Sequence, residues 1–203
     1  MALDLAARLL DLAEEHGFRI WTAAGTCLLG VAQVDLGRFD EGLLNIRTGM
    51  DLYGELRSPP IFWPFLLFLT ARASLRAGRP SDGFQPIDSA IGILSQGSTA
   101  SILSEFQLVK GDLLAALPAG DASGDDASPE AWYRRAYDRA GQLDARMTQL
   151  RAATRLARLR LAEGQRDAAE AILRPVYQRF DEGFGTIDLR DARELLAGLG
   201  VGA

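Results

Sequence analysis

LGRFDEG at 36–42, AGRPSDG at 77–83 and EGQRDAA at 163–169 share one design, in which a glycine and a polar turn are followed by a small residue at the head of an apolar-periodic stretch. On both sides of each turn, apolar residues recur at i, i+3, i+4 and i+7, the period of an amphipathic helix. A helix that stops just before a tight turn needs a residue in the left-handed conformation, which glycine enters without a Cβ penalty. Gly37, Gly78 and Gly164 stand at that place, as does Gly17 earlier in the chain. Each of the three segments therefore reads as helix, turn and antiparallel helix.

A small residue lies seven positions before each turn glycine, at Gly30, Ala71 and Ala157, and another five positions after it, at Gly42, Gly83 and Ala169. Small side chains at both places let two helices approach closely while larger neighbours fill the grooves beside them. A further unit uses Gly111 as its small residue, with its turn stretched into PAGDASGDDASP at 118–129, which reads as a surface loop. Gly30, Ala71, Gly111 and Ala157 follow one another at intervals of 41, 40 and 46 residues. These are longer than the roughly 34 of a standard tetratricopeptide repeat but within the range of helical arrays.

Carried along the chain, the periodicity predicts ten helices near 3–16, 19–36, 39–56, 61–77, 81–96, 99–117, 129–142, 145–163, 166–181 and 187–198. The expected fold is all-α: a tetratricopeptide-like helical-hairpin solenoid of antiparallel helices in a right-handed superhelix. Ordering costs about 1.5 kcal/mol per residue, so a lone 34-residue hairpin must offset roughly 50 kcal/mol with one buried face, and stacking is required. Residues 1–186 are expected to form the repeats and 187–203 a capping helix and tail. Helix 3–16 precedes the first complete hairpin, so the array is expected to start at a second helix.

The chain has 203 residues, 48% hydrophobic and 24% charged, with a formal net charge of -5. Nucleic acid and anionic membranes reward a concentrated basic face, which this balance does not supply, so neither is expected as a partner. The longest apolar run, Ile61 to Thr70, is half of the roughly 20 residues that a membrane span needs. A start with acids inside its apolar stretch is unlike a secretory signal, and the expected address is cytoplasmic. With one cysteine, Cys27, and one histidine, His16, a Cys/His zinc site within one chain is excluded.

AEEHGF at 13–18, QLVKGDLL at 107–114, RAATRLARL at 151–159 and LRPVYQRFDEGFGTIDLRDARELL at 173–196 resemble the C-terminal tetratricopeptide-like repeat region of certain bacterial multidomain regulators. In that family a class III adenylate/guanylate cyclase domain and a STAND-type ATPase domain precede the repeats. The resemblance implies a helper role, sensing or scaffolding that regulates a cyclase, an ATPase or a transcriptional output. No G-x-x-x-x-G-K-[ST] loop occurs, and the only lysine, Lys110, lies on a predicted helix. The family's catalytic parts therefore carry over to no position, and neither an enzyme nor a cofactor is expected.

The resemblance also implies that the first helix of each hairpin lines a concave groove. Counting from the small residues puts Phe65, Phe68, Arg72 and Arg76 there, then Glu105, Leu108 and Asp112, then Arg151, Thr154 and Arg158. Arginines so placed could grip a carboxylate with paired hydrogen bonds, or simply be solvated. The stripe from Ile61 to Leu69 is apolar around much of its helix and would be either buried between hairpins or an open interface. GFGT at 183–186 reads as a tight connection, His16 as a helix-terminal residue and Cys27 as a small buried hydrophobe.

The expectation is a non-catalytic module for protein interaction or signal transmission. Its partner would be a protein or peptide, such as a cyclase or ATPase domain or another copy of itself. The alternative is a small-molecule effector sensor within a transcriptional regulator, with the effector near Trp63, Phe65 and Phe68.

Overall fold

In the computed structural model the described residues are 1–56, 62–95, 100–118 and 128–200. They form ten α-helices and no strand. These are α1 (Ala2–Glu15), α2 (Arg19–Asp35), α3 (Phe39–Gly54), α4 (Trp63–Arg76), α5 (Pro80–Ser95), α6 (Ala100–Ala115), α7 (Pro129–Gln142), α8 (Arg146–Ala162), α9 (Arg166–Tyr177) and α10 (Ile187–Gly200). The chain divides into two compact units, Met1–Gln96 and Gly97–Ala203. The proposed boundary at 186 is a different cut, made within the second unit. Ile61, residues 119–127 of the expected surface loop and the tail at 201–203 lie outside the described residues.

Five of the helices, α1, α2, α4, α7 and α8, end in the same way, whereas α3 and α9 end on right-handed residues. Gly17, Gly37, Gly78 and Gly164 all have positive φ, between 65° and 82°. At the second of these the Gly37 N–H donates to Val34 O at 3.0 Å and the Arg38 N–H to Gln33 O at 2.9 Å. That pair of bonds satisfies two carbonyls which the last helical turn leaves open. The same two bonds close α4 around Gly78 and α8 around Gly164. A fifth closure of this kind ends α7, where Asp144 takes the left-handed place at φ 51°. Its N–H donates to Gly141 O, and that of Ala145 to Ala140 O.

In the first unit, α2 pairs with α3 and α4 with α5, while α1 packs on α2, and α4 on both α2 and α3. The α2–α3 contact brings the two backbones together. A Cβ built on Gly42 would stand 2.6 Å from Gly30 O, and one on Gly49 would stand 2.7 Å from Ala23 O. Two pairs, seven residues apart on each helix, thus bring backbone against backbone. Cys27 fills the space between them, buried, with its thiol donating to Ile46 O at 3.6 Å. Ala71 and Gly83 are likewise buried on α4 and α5.

In the second unit, α6 pairs with α7 and α8 with α9, and α10 packs on α8 and α9. Ala157 and Ala169 are fully buried in one cluster with Leu150, Leu173, Leu189 and Leu196. The expected helix 166–181 ends at Tyr177 instead. Beyond Gln178 the chain tightens into a turn, with the Arg179 N–H donating to Val176 O at 3.2 Å and the Phe180 N–H to Tyr177 O at 3.2 Å, each three residues back.

Candidate functional site

In the second unit the residues expected along a groove are joined to one another. Arg151 stands between two acids: its Nη1 donates to Glu105 Oε1 at 2.9 Å, and its Nε and Nη2 to Asp188 Oδ2 at 3.0 and 2.8 Å. Thr148 adds a hydroxyl bond to Glu105 at 2.6 Å. Arg158 pairs with Asp191. The hydrogen bonds to Asp188, helped by the charges of both acids, hold the Arg151 guanidinium above its ordinary pKa. Both arginine forks that a partner carboxylate would have used are therefore engaged by acids of α6 and α10. Leu108 and Thr154 do not line a groove. Leu108 is packed against Tyr133, Ala136, Ala152 and Leu156, and Thr154 is buried with its hydroxyl on Leu150 O at 2.9 Å. Spacing alone placed them one step too far around their helices.

Asp112 anchors a second network built around a residue that spacing did not reveal, Arg155. Its Nε and Nη2 donate to the two oxygens of Asp112 at 2.6 and 2.7 Å, and the Tyr133 hydroxyl donates to the same carboxylate at 2.9 Å. Gly111 makes this possible, because a Cβ there would come within 2.6 Å of Tyr133 Cδ1. Burial, then the charge of Asp112, raises the Tyr133 pKa, so the phenol remains a donor. Burial opposes the charge on Arg155, but its bonds to Asp112 more than offset this and leave its pKa raised. Arg155 lies 43 residues from Asp112, so no local spacing joins the two, and the only signal was an Arg one turn after Arg151 on the same helix.

The first unit presents a different surface. α4 carries two stripes on opposite sides. Along one, Phe65 is 47% exposed and stacks on Phe68 at a centroid distance of 6.4 Å, while the Arg72 guanidinium lies 5.7 Å from the Phe68 ring. Arg76 pairs with Asp35 of α2 at 3.0 Å. Trp21, 44% exposed, meets Phe62 at 5.5 Å, one turn before Phe65. The apolar run that begins at Ile61 is thus split by the fold: Leu66, Leu67, Phe68 and Leu69 are buried, and Phe65 is open. Trp21 was missed, although it lies away from the α2 stripe of Ala23, Cys27 and Gly30, where a large aromatic has no core to enter.

Along the other stripe Trp63, Leu67, Thr70 and Ser74 floor a cleft of ≈ 320 Å³. α3 supplies one wall with Ile46 and Met50, and α5 the other with Pro86. Trp63 is held in place by stacking on Tyr53 at 5.8 Å, whose hydroxyl accepts from the Phe62 N–H at 3.3 Å. Arg47 of α3 and Asp82 of α5 border the cleft, and neither forms an ion pair among the described residues. Of the three aromatics expected beside an effector, Trp63 lines this cleft, whereas Phe65 and Phe68 belong to the opposite stripe.

The remaining candidates have local accounts. GFGT is a tight connection in which Gly183 has φ 75° and accepts from the Thr186 N–H at 2.9 Å. His16 caps the end of α1, with its ring 5.6 Å from Phe18. Burial pushes the Cys27 thiol up to about 12. Among the described residues, no group of three or more His, Cys, Asp or Glu side chains could hold a metal ion, and no helix is long and apolar enough to cross a membrane. Compared with protein-family models, curated proteins and solved structures, the chain matches none.

Proposed function

We propose that the chain is a non-catalytic interaction and signal-transmitting module of stacked tetratricopeptide-like hairpins in a right-handed solenoid. Its setting is a bacterial nucleotide cyclase/ATPase signalling protein, as its regulatory tail or its adaptor. The observation that carries this reading is the aromatic stripe of the first unit. Trp21, Phe62 and Phe65 lie open to solvent in whole or in part, with Arg72 beside them. Uncovered aromatics next to an arginine are the side chains that dominate binding energy at protein interfaces. The hairpin closures at Gly37, Gly78 and Gly164 support the repeat, and the resemblance of 173–196 supports the setting.

The partner face would offer apolar side chains and an acid to meet Arg72. The test is biolayer interferometry of the immobilised chain against a class III cyclase–ATPase protein from the same genome, with Phe65→Ala and Arg72→Glu as variants. Saturable binding that weakens at least tenfold in both supports the proposal. Equal binding by both variants removes the stripe from the interface.

A further inference from the structure

The α3–α4–α5 cleft lies on the face of α4 opposite the aromatic stripe, and its chemistry differs from that of the stripe. The stripe is a broad surface. The cleft is a recess of ≈ 320 Å³ bounded by three helices of one unit, at the lower end of the range of pockets that hold small molecules. A helix is about 10 Å across with its side chains and would not enter a recess of that size.

We infer that this cleft binds a small amphipathic monocarboxylate, with its apolar body over Leu67, Met50 and Pro86 and its carboxylate on Arg47. The inference goes beyond the proposed interaction role and does not depend on it. The floor and walls are mainly apolar, and the Trp63 ring in the floor is already fixed by Tyr53. Such a surface rewards a hydrocarbon body, with the driving force proportional to the apolar area withdrawn from water. The polar atoms of the floor make few demands of their own, because the Thr70 hydroxyl donates to Leu66 O and the Ser74 hydroxyl to Thr70 O.

Charge then selects the head group. Arg47 presents a planar fork of donors that no acid among the described residues occupies, and a carboxylate is the group that such a fork matches with two parallel bonds. Asp82 faces the same recess from the first turn of α5, where the helix dipole favours its negative charge. It penalises a second negative charge on the ligand. The pair therefore selects a monoanion over a dicarboxylate or a phosphate.

Four ligands of equal chain length test this: decanoate, decanedioate, decanol and decylammonium, each titrated into the full chain by calorimetry. Fluorescence is followed in parallel in a Trp21→Phe/Trp132→Phe variant that leaves Trp63 as the only tryptophan. Decanoate is expected to bind one per chain and change the Trp63 emission, with the other three at least tenfold weaker. Arg47→Gln, on an exposed side chain, should cost decanoate roughly tenfold or more. Asp82→Asn should narrow the gap between decanoate and decanedioate. Binding of decanol or decylammonium as tight as that of decanoate would make the cleft a generic apolar groove and overturn the inference. So would decanoate affinity unchanged by Arg47→Gln, or no decanoate binding at millimolar concentration.

Discussion

Gly30 and Gly42 face each other across the α2–α3 contact with nothing between them but backbone: a Cβ on Gly42 would lie 2.6 Å from Gly30 O, and one on Gly30 would lie 2.8 Å from the Ile46 N. Neither obstacle is a flexible side chain that could swing away. Gly30→Ala or Gly42→Ala must therefore push α2 and α3 apart, at about 1–3 kcal/mol. Ala157→Leu should cost a similar amount in the α8–α9 pair, since Ala157 is fully buried. Urea denaturation of the three variants checks this, and an unchanged midpoint in any of them would contradict the small-residue register there.

The left-handed glycines and the Gly30–Gly42 approach were legible in the sequence, because a turn glycine and a small residue at fixed offsets are both local signals. The helix list was legible for the same reason, apart from α9, which closes in a tight turn after Tyr177 instead of running on to 181. Asp144 escaped notice because it does at the end of α7 what glycine does at the end of α2, α4 and α8. Arg151 and Arg158 lie on a helix that the periodicity predicts, α8, but what they bind was not readable. Whether Arg151 reaches a partner or Asp188 depends on the approach of α10, 37 residues away, which no periodicity encodes. The cleft was invisible for a related reason, being made by three helices whose lining residues are ordinary one by one.

Asp144 predicts an ordering of variants. Its left-handed backbone costs an L-residue roughly 1–2 kcal/mol, while its carboxylate is bound by Arg146 and by Arg179. Asp144→Gly removes the strain and the bonds together and, since exposed pairs of this kind contribute little, should be at least as stable as the parent. Asp144→Ala keeps the strain and loses the bonds, so it should be the least stable of the three. Thermal melts rank them. Alanine above glycine would contradict the assignment of this turn.

The Asp112 network predicts unequal costs for its members. Asp112→Ala strands both the Arg155 guanidinium and the Tyr133 hydroxyl and should cost about 2–3 kcal/mol. Tyr133→Phe removes one neutral donor and leaves the bidentate pair, at about 1 kcal/mol. In a double-mutant cycle the two should be strongly non-additive, because they share one carboxylate. Additive losses would mean that the hydroxyl bond is not formed in solution.

Cys27 gives the fold an alkaline limit. Its thiol is raised from 9.0 to about 12 by burial, so the neutral form is favoured in the fold. The stability this confers is complete below pH 9 and is lost as pH rises toward 12, where the unfolded chain gains from ionising the thiol. At pH 10.5 the loss is about 2 kcal/mol relative to pH 8. Paired urea melts of the parent and Cys27→Ala at the two pH values should show the parent losing that much more. Equal losses would place the thiol in water.

Interferometry against the proposed cyclase–ATPase protein is the measurement that bears most closely on the central claim, that the open aromatic face of α4 is a contact surface. Saturable binding to the parent chain is expected, at least tenfold weaker for Phe65→Ala and for Arg72→Glu, with melting temperatures of both variants close to the parent's. No binding by the folded parent, or undiminished binding by both variants, would contradict it.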